Sequence, residues 1–167
     1  MSDLPEYVLD RVFDAPRSMV WRAWTDPALL SRWYGPGVET TIHEFDLKPG
    51  GVWRNEMKWG DKSDLSQMTF QEIVPQEKLV WHHSSTDPDW NVISNPMMAD
   101  WPRVLLTTVT FEDGGTTTNV RLSQVPIKPT DAEIACFAKM MAGMDNGWGK
   151  GYSIMDEIFA ELIAEKS

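Results

Sequence analysis

From Thr130 onward one amphipathic pattern runs almost to the end of this 167-residue chain, and it carries four glycines inside it. Ile134, Phe137, Met141, Met144, Trp148, Met155, Ile158 and Leu162 recur at three- or four-residue steps, apart from one seven-residue step across the glycines. Thr130 with Glu133 three residues later forms a capping box. Continued to Ala164, the pattern predicts one helix about 50 Å long. Gly143, Gly147, Gly149 and Gly151 oppose it, since each mid-helix glycine costs about 1 kcal/mol relative to alanine. What a glycine offers in return is close approach: without a Cβ, a ligand or another surface can lie against the backbone. With Trp148 at its centre, the segment reads as a helix laid over something that needs room.

Ahead of this helix the elements are short. Tyr7–Phe13 is predicted as a strand, ended by Ala15-Pro16, and Arg17–Thr25 as a short helix with Val20, Ala23 and Trp24 on one side. Asp26-Pro27 opens a second short helix, with aspartate as cap and proline at the first helical position, and Gly35-Pro36-Gly37 stops it. Between Val38 and Val125 six β-prone runs (38–47, 52–59, 64–74, 78–85, 103–112 and 116–125) are separated by turn signals such as Pro49-Gly50-Gly51 and Asp113-Gly114-Gly115. Their spacing predicts an antiparallel meander. The exception is the long connection from Thr86 to Pro102, which holds Trp90, Met97, Met98 and Trp101 and is too apolar to be simply disordered.

An antiparallel sheet must bury one face. The expected fold is therefore α+β: a curved seven-stranded antiparallel sheet wrapped around the C-terminal helix, with the two short helices closing one end. All 167 residues are expected to form a single domain. Such a sheet is wider than one helix can cover, so a cavity is expected between them.

Composition narrows the partners. A formal net charge of −10 disfavours nucleic acid and anionic membrane surfaces. A single cysteine, Cys136, excludes an intramolecular disulfide and a thiolate metal cage; it is expected to be a small buried hydrophobe. No basic region precedes an apolar run at the N-terminus and no segment approaches 18 apolar residues, so the expectation is a cytoplasmic protein without membrane insertion.

Several motifs resemble a known family. They are Phe13-Asp14-Ala15-Pro16 with Val20-Trp21, Ala23-Trp24-Thr25-Asp26-Pro27, Trp33-Tyr34-Gly35-Pro36, and Lys48-Pro49-Gly50-Gly51-Val52-Trp53-Arg54. Glu72-Ile73-Val74-Pro75 with Lys78-Leu79-Val80, Val109-Thr110-Phe111-Glu112, and Gly143-Met144 with Gly147-Trp148-Gly149 follow in order. The order of elements is similar to the helix-grip, START-like (SRPBCC) superfamily. The motifs resemble its bacterial branch related to the C-terminal domain of the activator of heat-shock-protein-ninety ATPase. The resemblance implies a fold and a pocket; it implies no shared catalytic constellation.

Alternation in the strand after Gly51 sets Trp53, Asn55, Met57 and Trp59 on the helix-facing side and Val52, Arg54, Glu56 and Lys58 toward solvent. Asn55 is then a polar group in an apolar row, suited either to orient a ligand or to bond a neighbouring group. On the next strand Met68 and Phe70 share a face with Glu72, and His83 sides with Leu79 and Trp81 while His82 points away. Glu72 and His83 are thus the weak candidates for an acid or base. The expected ligand lining is Trp53, Asn55, Met57, Trp59, Met68, Phe70, Trp81, His83, Met141, Met144, Trp148 and Tyr152, with Trp90, Met97, Met98 and Trp101 as a lid. No metal, cofactor or nucleophile motif is present: His43, His82 and His83 lack ligand spacing, and the glycine run follows no strand.

The function expected is binding of a hydrophobic or aromatic small molecule. The alternatives are a cyclase- or hydrolase-like enzyme using the same pocket and a co-chaperone-like protein-binding module. A homodimer is compatible with the apolar Thr86–Pro102 connection.

Overall fold

The computed structural model describes residues 4–96 and 98–165. The chain runs β1 (Tyr7–Phe13), α1 (Arg17–Thr25), α2 (Pro27–Trp33), β2 (Glu39–Phe45), β3 (Val52–Trp59), β4 (Lys62–Val74), β5 (Lys78–Ser85), β6 (Leu105–Asp113), β7 (Thr118–Pro126) and α3 (Asp131–Glu165). Strand ends differ from the sequence reading by no more than two residues. The seven strands form one antiparallel sheet in the order β1-β7-β6-β5-β4-β3-β2, so β1 closes onto β7 and every other neighbour is a sequence neighbour.

Helix ends follow their caps. Asp26 accepts from the Ala28 amide at 3.1 Å, and Pro27 takes the first position of α2. At α3 the capping box closes: the Glu133 amide donates to Thr130 Oγ1 at 3.1 Å and the Thr130 amide to Glu133 Oε1 at 2.8 Å. Glu133 Oε2 also accepts from the Arg103 amide at 3.0 Å, which ties the helix start to the approach to β6. The helix then runs unbroken through all four glycines.

Two bulges change what each strand presents. One falls at His43 in β2 and one at Gln71 in β4, where the register passes from Phe70↔Trp81 to Glu72↔Val80. The inner face carries Tyr7, Phe13, Trp53, Met68, Phe70, Leu79, Trp81, Leu105, Val109, Phe111, Val120 and Leu122. These pack with Trp24, Leu30 and Trp33 from the short helices and with Phe137, Tyr152, Met155, Ile158 and Phe159 from α3. Ion pairs bind α3 to the rest from opposite sides: Arg11–Asp156 at 2.5 Å from β1 and Arg32–Glu161 at 2.7 Å from α2.

Candidate functional site

Where α3 crosses the open end of the sheet, the packing leaves a cleft of about 300 Å³. One wall is the end of α2 and its turn, Trp33 to Pro36; the other is α3 through Gly143, Met144, Gly147, Trp148 and Gly151; Met57 of β3 lies between them. A methyl group placed on Gly143 or Gly147 would meet nothing within 4 Å, so these residues keep the cleft open on the helix side. The rim is fixed by two side-chain bonds: Trp33 Nε1 donates to the Ala23 carbonyl at 2.9 Å, and Thr40 Oγ1 to the Tyr34 carbonyl at 2.7 Å. A second cleft, about 280 Å³, lies beside α3 between Met140, Gly143 and Met144 and the loop residues Asn95, Met98 and Trp101.

Aromatic rings continue from the first cleft into the core. Trp148 stacks on Trp24 (6.2 Å between centroids) and meets Tyr34 edge-on at 5.9 Å; Tyr34 in turn meets Trp53 edge-on at 4.8 Å. Trp53 and Trp81 lie 5.8 Å apart.

Polar groups interrupt this surface on the same-face row of β3, β4 and β5. Asn55 is fully buried opposite Ser66, and Ser66 stands opposite Ser85. His83, opposite Met68, is half-buried, and its Nδ1 has no partner; burial pushes the imidazole down to about 4, so it is neutral at pH 7. Trp53 Nε1 donates to Asn55 Oδ1 at 3.3 Å, while Asn55 Nδ2 has no partner. Trp24 Nε1, Trp81 Nε1 and the Tyr152 hydroxyl are buried and unpartnered too. Asp64, opposite Met57, is half-buried with no hydrogen bond or ion pair among the described residues, and burial raises its carboxyl above the ordinary aspartate value. Burial raises the phenol of Tyr34 as well, and the charge of Asp64 adds to that shift.

The model of the family described as activator of Hsp90 ATPase homolog 1-like protein matches residues 14–160. The chain belongs to this family. Solved bacterial structures share the fold. A protein from Mycobacterium smegmatis is 19% identical with a TM-score of 0.76, over 94% of this chain and 95% of its own. One from Arthrobacter aurescens is 22% identical with a TM-score of 0.77, over 93% and 86%. A third, from Rhodobacter sphaeroides, is 20% identical with a TM-score of 0.74, over 97% of each chain. Among curated proteins there is no match.

Within this family member the expected lining residues fall into three groups. Met57, Met144 and Trp148 line the cleft. Trp53, Asn55, Met68, Phe70, Trp81 and Tyr152 are buried behind it, and His83 is half-buried beside them on the same face. Trp59 and Met141 lie away from the cleft, Trp59 half-buried at the β3–β4 turn opposite Lys62 and Met141 packed against the core. The sequence reading missed Tyr34, Gly35 and Pro36 as cleft wall and placed Trp33 only in the core or a lid. The glycine-proline turn after two end-closing helices was the available signal.

Three expectations are corrected. The bulge at Gln71 turns Glu72 to the outer face, where it is exposed and pairs with Lys78 at 3.1 Å, so it is not an interior acid or base. Trp90 lines neither cleft: it packs on His43 (5.6 Å) and on the Arg54 guanidinium (5.4 Å), both on the outer side of the sheet. Cys136 is half-buried rather than buried. Met98 and Trp101 do approach α3, with Trp101 5.4 Å from Phe137, while Met97 lies outside the described residues. Among the described residues no cluster of His, Cys, Asp and Glu could hold a metal, and no helix is long and apolar enough to cross a membrane.

Proposed function

We propose that this protein binds a hydrophobic or aromatic small molecule in the cleft between the curved sheet and α3, and that it acts inside the cell as a binding protein rather than as an enzyme. The observation that carries this reading is the pairing of a Trp- and Met-walled cleft with two helix glycines that leave the backbone open toward it. Burial of apolar area supplies the driving force, and the thioethers of Met57 and Met144 let the walls adapt. The cleft is at the small end of the range for ligand sites, which suits a molecule of one or two rings. Catalysis is less well supported. His83 is neutral over the physiological range and has no acidic partner, and Glu72 points out of the interior.

The test is thermal shift and tryptophan fluorescence of the purified protein against a library of hydrophobic and aromatic metabolites. A ligand at a hundredfold excess over its dissociation constant stabilises the fold by about 2.7 kcal/mol. A saturable hit that quenches fluorescence, and whose affinity falls in Trp148→Phe, supports the site. Silence across the library would count against it and favour a protein partner.

A further inference from the structure

We infer that the molecule bound in this site carries a neutral hydrogen-bond acceptor, a ketone, ester or amide carbonyl, which is received by the Asn55 amide, buried behind the Met57 wall of the cleft. The inference rests on the ligand-binding reading and sharpens it.

The orientation of Asn55 is set by its neighbour. An indole N–H can only donate, so the Asn55 atom facing Trp53 Nε1 must be the carbonyl oxygen. The amide nitrogen is thereby turned to the free side. It is fully buried, and neither of its two donors has a partner. An unpaired buried donor is costly to leave, and it is not balanced here by any acceptor among the described residues. Asn55 lies on the same face of β3 as Met57, which lines the cleft, and two residues along a strand span roughly 7 Å. A ligand with its rings against Tyr34 and Trp148 therefore needs only a short polar group passing the flexible Met57 side chain to reach Asn55.

The charge of that group follows from its surroundings. No lysine or arginine stands among the same-face neighbours of Asn55 on β2, β3, β4 or β5, nor in the cleft wall. His83 is neutral near pH 7, and the same face carries the carboxyl of Asp64, opposite Met57. A carboxylate or phosphate would be desolvated here without a counter-charge and beside an acid. A carbonyl gains the amide donors without that cost.

The experiment is calorimetric titration of the full chain at pH 7 with three probes of matched shape: acetylnaphthalene, ethylnaphthalene and naphthoate. The expected order is ketone about tenfold tighter than hydrocarbon, the worth of one buried hydrogen bond, with naphthoate weakest. In Asn55→Leu the ketone advantage disappears while the hydrocarbon still binds. The ligand series on the unaltered protein decides the matter even where that variant does not fold. Equal binding of ketone and hydrocarbon overturns the carbonyl assignment and leaves the apolar site standing. Tighter binding of naphthoate overturns the neutral class. Absence of binding by all three sinks the site itself, and the inference with it.

Discussion

Gly151 of α3 lies flat against Trp33 at the end of α2: a Cβ on Gly151 would sit 2.9 Å from the Trp33 carbonyl oxygen and 3.2 Å from its ring. The first obstacle is backbone and cannot swing aside. This contact brings the two walls of the cleft together, since Trp33 and Gly151 both line it along with Gly147 and Gly143.

The glycines of α3 therefore divide by role. Gly151→Ala is expected to destabilise the fold by about 1–3 kcal/mol, the usual cost of overpacking. Gly143→Ala and Gly147→Ala meet open space, so each should stabilise the helix by up to about 1 kcal/mol. Both residues line the cleft, so the added methyl groups should weaken binding of an aromatic probe. Urea denaturation and calorimetric titration of the three variants check both halves; a stable Gly151→Ala would remove the close-packing account.

His83 makes stability depend on pH. Its folded value, about 4, lies below the ordinary histidine value of 6.5, so between the two the unfolded chain binds a proton that the native state does not. Stability is full above pH 6.5 and falls as pH drops toward 4, by on the order of 3 kcal/mol. The His83→Leu variant should lose that slope in urea melts run from pH 7 to pH 4.

Asp64 has the opposite sign. Burial raises its folded value, so its contribution is favourable only in acid and is lost as pH rises through that value. Asp64→Asn is expected to raise stability at pH 7 by about 1 kcal/mol, with the gain vanishing near pH 3. Equal gains at both pH values would mean that its charge is not the cause.

Glu133 joins three segments through one carboxylate. Replacing it by alanine frees the Thr130 and Arg103 amides together, and the expected cost is about 1–3 kcal/mol, at or above that of a lost helix cap. Equilibrium urea denaturation measures it; a cost near zero would show that water replaces both bonds.

Trp90 and Trp148 separate the outer face from the site. Trp148→Phe should lower probe affinity several-fold with little change in melting temperature, whereas Trp90→Phe should leave affinity unchanged. Equal losses in both would place the site elsewhere.

Local rules were enough for the elements. Alternation, the Asp26-Pro27 start, the Thr130–Glu133 box and the spaced turn signals fix the strands and helices, because each depends on residues within a few positions of one another. The face of β3 was legible for the same reason, from Trp53 to Met57. Register was not. An extra residue at Gln71 reverses every side chain after it, and nothing in the local alternation of β4 announces that. Neither could the sequence place Trp90 on the outer side of the sheet, since that depends on how a long connection crosses β2 and β3. The cleft belongs to the same class. Tyr34 and Gly147 are more than 100 positions apart, and only the crossing of α3 over the sheet brings them to one opening. Periodicity determined what each segment is; the angle and offset at which the segments pack decided where space was left between them.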